Sequence, residues 1–271
     1  MLRTLLLAAF LSFSLQPQGP GPERQATAEE RALIAQLAEH KLVLDPVRGW
    51  FAVPVDVLVR DDLLEYLLVG PAGAAHESAF MTPVAPSVLN VAMLALGVTP
   101  GTNANWKPKD PQPSEVELRE GASPYEIALP SGEGFYLYVG WKRDGETYFF
   151  RVEDVLRNLS TGQAMKRHTW VYLGSRMVPN GRDKQAAEVF AAEVYQNLIN
   201  VAFFRDGYTL LTGALPDCVN QGIWMLNAWL VPERGARVEM FFSRHKFEGL
   251  PPELESLLPT VEAAPEEPRD R

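Results

Sequence analysis

Residues 63–101, LLEYLLVGPAGAAHESAFMTPVAPSVLNVAMLALGVTPG, decide how this chain is read. The opening apolar run holds one acid, Glu65, and predicts a strand from Leu63 to Val69. A compact His76-Glu77-Ser78 cluster follows across a Gly/Pro/Ala loop. Pro86 then opens a second apolar run, where its missing N–H costs nothing, and Gly97 supplies the left-handed residue that stops a helix. Between them nearly every residue is apolar, so the expectation is a core helix buried on most sides, with Leu89, Leu94 and Leu96 inside.

Outward from this stretch, most of the chain reads as strand. Thr27-Ala28-Glu29-Glu30 is a capping-box signature that starts an N-terminal helix carrying Leu33, Ile34 and Leu37. WFAVPVDVLV, within Arg48–Val59, is β-branched and aromatic, and Pro54 marks it as an edge or bulged strand. Asp61-Asp62 predicts a turn that folds Leu63–Val69 back on it as a hairpin. Asp144-Gly145 between Phe135–Arg143 and Glu146–Val152 is the strongest hairpin signal. Thr169–Ser175, Tyr208–Thr212, Ile223–Leu230 and Arg237–Ser243 are further strands, the last two joined through Pro232-Glu233-Arg234-Gly235. Gln185–Phe204 has helix formers early and β formers late, and its periodicity leaves both states open. The fold class is α+β: a predominantly antiparallel β-sheet with an N-terminal helix and one buried core helix.

The ends differ in character. Arg3 followed by apolar Leu5–Leu15, with small Ser12 and Ser14, has the pattern of a signal peptide over residues 1–14. An uncleaved anchor shares that pattern. Residues 15–26 form a Pro/Gly linker, 27–249 the folded domain, and 250–271 an acidic, Pro-rich tail expected to be disordered. The expected location is exported, periplasmic or extracellular. No later run is long and apolar enough to span a bilayer, so no transmembrane span is expected in the mature chain.

Bulk properties narrow the chemistry. The 271 residues are 46% hydrophobic and 10% aromatic, enough for a sizeable core. A net charge of -9 repels phosphate backbones and argues against a nucleic-acid partner. Cys218 is the only cysteine, so neither an iron–sulfur cluster nor a cysteine-zinc site can form within this chain. No G-x-G-x-x-G or Walker loop occurs.

Candidate site residues are Glu65, His76, Glu77 and Ser78. A carboxylate on an apolar face needs a partner or a raised pKa. If residues 76–82 form a strand, His76 and Ser78 share one face and Glu65 can orient the imidazole, the composition of a hydrolase triad. One His with two carboxylates also suits a divalent metal, although the second His of H-E-x-x-H is missing. The bland reading, a hydrogen-bonded cluster that pins the loop before the core helix, has the greater weight. Asn103, Asn105 and Trp106, in the polar loop after Gly101, are ligand-loop candidates. His40, His168 and His245 read as surface residues, and the strand tryptophans, including Trp141, Trp170, Trp224 and Trp229, as core.

LEYLLV, then HES, then an apolar helix ending LGVTPG resembles the YdjY-like family of bacterial exported proteins. The likeness extends through TWVYLGS, EVFAAEVYQNLINVAFF and LNAWLVPERGARVEMFF, most of residues 42–245. It implies strand–turn–strand for the ambiguous 185–204 passage and a closing pair of strands at the end. It brings an envelope location and an architecture, but no established activity. Where family members often carry a second His early in the helix, this chain has Asn90, which weakens a shared His-based metal site. The functional expectation is a non-catalytic binding or assembly domain serving an envelope protein or a small ligand. The alternative is a hydrolase or metal-dependent enzyme using the His76-Glu77-Ser78 cluster with Glu65.

Overall fold

The Thr27 hydroxyl accepts from the Glu30 N–H and the Glu30 carboxylate accepts from the Thr27 N–H, so the first helix starts where the capping box places it. The computed structural model describes residues 24–180 and 187–262. The signal-peptide segment, all but the last residues of the linker, and the end of the tail lie outside the described residues. In chain order the elements are α1 (Ala28–Glu39), β1 (Val43–Asp45), β2 (Trp50–Val57), β3 (Tyr66–Val69), β4 (Ser78–Met81), α2 (Pro86–Ala95), β5 (Asn105–Pro108), α3 (Glu115–Arg119), β6 (Tyr125–Ala128), β7 (Gly134–Arg143), β8 (Glu146–Arg151) and β9 (Leu156–Asn158). Then come β10 (Trp170–Tyr172), β11 (Met177–Pro179), β12 (Glu188–Phe190), α4 (Ala191–Tyr195), β13 (Asn197–Asn200), β14 (Leu211–Thr212), β15 (Trp224–Leu226), β16 (Arg237–Ser243) and α5 (Pro252–Glu255).

The chain is α+β and mostly β, and its main sheet closes. Strands run β2-β16-β7-β10-β14-β13-β3-β4, and β4 pairs back on β2 to complete an eight-stranded barrel. Most neighbours are antiparallel, but β3–β4 and β13–β14 are parallel. Side-chain alternation sorts the two faces. Phe51, Val53 and Val55 of β2, Leu137 and Val139 of β7, and Met240 and Phe242 of β16 fill the interior. Phe51 stacks on Phe242 at 4.4 Å, with Phe135 edge-on to both. Closure needs one very close approach: a Cβ on Gly134 would sit 1.9 Å from the Trp170 carbonyl oxygen, so β7 can meet β10 only through glycine.

An apolar patch also lies on the outer face of β2, β7 and β16, and the C-terminal segment covers it. Leu254 and Leu258 pack on Trp50, Ala52, Tyr138 and Phe241, and residues 259–261 exchange two backbone hydrogen bonds with Lys142. Residues 251–262, expected to belong to a disordered tail, are therefore part of the fold. Each buried leucine there contributes about 1.5–3 kcal/mol, enough to hold a short segment in place.

Several local expectations change once the barrel is seen. The Asp144-Gly145 hairpin forms as read, with both turn residues at positive φ. Leu63–Val69 does not fold back on β2; β3 lies between β13 and β4, and it is β4 that reaches β2. β15 pairs with β9 rather than with β16, so the two strands around Pro232–Gly235 are no hairpin. Pro54 sits in a central barrel strand. Its missing N–H causes no loss, because β1 pairs with residues 50–52 and β4 with 56–57, leaving Pro54 in the gap between them. Its carbonyl, on that same side, accepts from the Thr82 hydroxyl at 3.0 Å. The passage left open at 185–204 contains both states in its described part, as β12, the single turn α4, and β13. The loop after Gly101 is a two-stranded arm, β5 with β6.

α2 is less buried than its composition suggests. Leu89, Ala92 and Met93 enter the core, while Val91 and Leu94 are exposed and Leu96 is half-buried. The helix lies on the barrel with one face, fixed by a 2.6 Å hydrogen bond from the Tyr172 hydroxyl to Asn90 Oδ1. Trp141, Trp170 and Trp224 are core as expected, but Trp229 projects from a turn and is 94% exposed.

Candidate functional site: an aromatic cleft beside the His-Glu-Ser loop

The loop from Gly70 to Ser78 separates the expected site residues. His76 lies in a 3₁₀ turn, Ala75–Glu77, not in a strand, so it does not share a face with Ser78. Its side chain is 81% exposed and 3.7 Å from the Glu77 carboxylate. Ser78 is fully buried, and its hydroxyl donates to the Ala74 carbonyl at 2.5 Å. A hydroxyl so placed ties the loop down and faces no solvent. Glu65 and Glu77 do come together, through the Glu65 N–H to Glu77 carbonyl bond at 3.0 Å. Burial raises the Glu65 carboxyl above its usual range; the Glu77 charge adds to this and His76 opposes it. Nucleophile, base and orienting acid are thus not assembled in this conformation. Among the described residues no three His, Cys, Asp or Glu side chains converge as a metal set.

The same loop forms one flank of a different site. Ala74 N–H donates to Asn197 Oδ1 at 2.9 Å, and Ala72 N–H to Gln196 Oε1 at 2.9 Å. Gln196 takes a left-handed conformation (φ 52°) that ends α4 and turns the chain into β13. This brings Tyr195 and Asn197 beside Tyr66 of β3. The turn before β14, Phe203-Phe204-Arg205-Asp206-Gly207-Tyr208, closes the other side, with Gly207 at φ 64°. Tyr66 stacks on Phe204 (5.1 Å, 6°) and Tyr195 on Tyr208 (4.6 Å, 2°). These four rings, with Asn197, Asp206 and Thr209, line a cleft of about 250 Å³.

Its floor is rigid. The Thr209 hydroxyl donates to Asn200 Oδ1 (2.5 Å), and Asn200 Nδ2 donates to the Ala202 carbonyl and to the Thr212 hydroxyl. Such a satisfied buried network fixes the strands beneath the opening. Tyr66 is buried, and its phenol is pushed up to about 12, first by burial and then by the Glu65 and Glu77 charges, against a hydrogen bond with Asn197.

The ligand-loop candidates stand behind this cleft and hold its turn. Asn103 Nδ2 donates to the Phe204 carbonyl at 2.7 Å. Trp106 meets Phe203 edge-on, and the Arg205 guanidinium lies 5.0 Å from the Trp106 ring and 5.3 Å from the Tyr125 ring. Asn105 is exposed and contributes its backbone, opposite Ala128 in the arm. Sequence reading missed the cleft's own residues. The available signal was Asp206-Gly207, a turn dipeptide framed by three aromatic residues.

Two other places concentrate charge. A hollow of about 540 Å³ is lined by Arg60, Asp61, Asp62, His76 and Arg234, and Arg60 there is already paired with Glu233. Deep under the β7–β8 hairpin, fully buried Glu153 accepts from Arg151 (2.9 and 2.5 Å) and from Trp170 Nε1 (3.2 Å). His168, expected at the surface, is enclosed here with its side chain 9% exposed and 3.7 Å from Glu153; burial lowers its pKa despite that carboxylate. Cys218 is buried as well, and burial pushes its thiol up to about 12, which keeps it protonated. Comparison with protein-family models, curated proteins and solved structures finds no match to this chain.

Proposed function

We propose that this is a non-catalytic binding domain of the YdjY-like kind, exported to the cell envelope, that takes a small ligand in the Tyr66/Tyr195/Phe204/Tyr208 cleft. The observation that carries the reading is the convergence of four aromatic rings and a few polar groups over a satisfied, rigid floor. Small-molecule sites have this makeup, an apolar concave wall with sparse oriented polar atoms. The volume, just under the roughly 300 Å³ at which drug-sized pockets begin, suits a compact ligand. The export part rests on Arg3, the apolar run and the Ser12/Ser14 pair. Among the described residues no helix is long and apolar enough to cross a membrane.

A ligand-observed NMR screen of small fragments tests this. Hits should be lost in Tyr195→Ala, a variant of a 43% exposed ring whose removal leaves the core alone. Hits unaffected by that change, or none, would overturn the reading. An enzymatic alternative is favoured by one observation, the close Glu65–Glu77 pair with its raised carboxyl, a pattern common in acid–base sites. Turnover of a generic ester or glycoside that falls in Glu65→Gln would promote it.

A further inference from the structure

We infer that the cleft selects a small organic cation, an alkylated ammonium group held by the ring faces with Asp206 as its counter-ion. This rests on the reading of the cleft as a ligand site and adds the class of ligand. Of the residues that line it, only Asp206 is charged; no Lys, Arg or His faces the opening. The Asp206 carboxylate has no hydrogen-bond or ion-pair partner among the described residues. On the Tyr66 side of the cleft stand Glu65 and Glu77, whose charges act on the Tyr66 phenol. Aromatic faces carry the negative lobe of the ring quadrupole and attract desolvated cations.

The same turn already uses this interaction internally. Arg205 lies over Trp106 and Tyr125, and the Arg176 guanidinium is 4.9 Å from the Tyr208 ring. Both guanidiniums sit outside the lining, so they brace the walls without filling the opening. Competing ligand classes fit less well. An anion would meet the Asp206 carboxylate with no Lys, Arg or His in the lining to offset it. A sugar would find two polar groups of the lining already engaged, since the Thr209 hydroxyl donates to Asn200 and Asn197 Oδ1 accepts from the Ala74 N–H. A trimethylammonium head asks for ring faces and one carboxylate.

The test is a calorimetric titration of the full chain with choline, with its uncharged isostere 3,3-dimethylbutan-1-ol, and with N-acetylglucosamine. Choline should bind at least tenfold more tightly than the isostere, and Asp206→Asn should weaken choline at least tenfold with an unchanged melting temperature. Tyr195→Ala should weaken choline as well. Equal binding of the isostere, or preference for the sugar, would overturn the cation assignment while leaving the cleft as a binding site. Failure of all three probes, with fragment hits still mapping to Tyr195, would likewise overturn the assignment alone. If neither probes nor fragments engage the cleft, both readings fall.

Discussion

Glu239 of β16 lies directly opposite Pro54 of β2, on the outer wall of the barrel, with Gly140 of β7 on its other side. Neither neighbour offers a side-chain donor, and Glu239 is only 9% exposed. Burial pushes its carboxyl up to about 8, with Arg237 opposing the shift. A raised acid pKa means the folded protein holds a proton that the unfolded chain releases. Stability should therefore fall as pH rises from the unfolded value, 4.5, through about 8. The loss should be on the order of a few kcal/mol. Urea melts from pH 4 to 9 should show Glu239→Gln more stable than the parent at the alkaline end and converging with it at the acid end. Parallel curves would show that the carboxyl is ionised without penalty.

The His-Glu-Ser loop separates two roles that its sequence runs together. His76→Ala should change stability by less than about 0.5 kcal/mol, since an exposed side chain whose contact with the Glu77 carboxylate is 3.7 Å long and open to solvent carries little. Ser78→Ala should cost about 0.5–1.5 kcal/mol, the net worth of one hydrogen bond, because the half-buried Ala74 carbonyl loses the Ser78 hydroxyl and keeps the Glu77 N–H. Chemical denaturation of both variants measures the contrast. A larger loss from His76→Ala than from Ser78→Ala would contradict the loop geometry.

Two leucines five residues apart in α2, Leu89 and Leu94, should behave differently. Leu89→Ala should cost about 2–5 kcal/mol, as a fully buried side chain leaves a cavity. Leu94→Ala should be close to neutral, because Leu94 is 48% exposed and alanine is the better helix former. Circular dichroism melts of the pair decide which face of α2 meets the barrel.

Glu153→Ala would leave Arg151 buried and uncompensated, a change expected to cost about 3–5 kcal/mol. His168 next to it adds a pH signature of the opposite sign to that of Glu239. Its pKa is lowered in the folded state, so the unfolded chain binds more protons as pH falls below 6.5. The stability it supports is complete above 6.5 and declines toward acid. His168→Gln should flatten the acid limb of the pH–stability curve, and an unaltered limb would mean the imidazole is not enclosed.

Local signals carried the elements that depend on local chemistry. The Thr27 capping box, the Asp144-Gly145 hairpin and the Pro86-to-Gly97 helix bounds are legible because a few adjacent residues decide each of them. The α+β class followed from the same readings. Strand partners did not, because an apolar strand such as β3 or β15 pairs equally well with several others, and only simultaneous packing of all eight barrel strands selects β13 and β4 for one and β9 for the other. Pro54 illustrates the limit. Proline forbids an N–H there, but whether that means a sheet edge or a gap between two successive partners is set by where β1 ends and β4 begins. Glu65, His76, Glu77 and Ser78 stand out in the sequence as polar residues within an apolar stretch, yet their orientation depends on a 3₁₀ turn that periodicity does not reveal. The cleft was the least legible of all. Tyr66, Tyr195, Phe204 and Tyr208 come from β3, the end of α4 and the turn before β14, and no sequence pattern links them. Barrel closure and the Gln196 turn bring them together, so the site is a property of the tertiary structure while the elements that carry it were written locally.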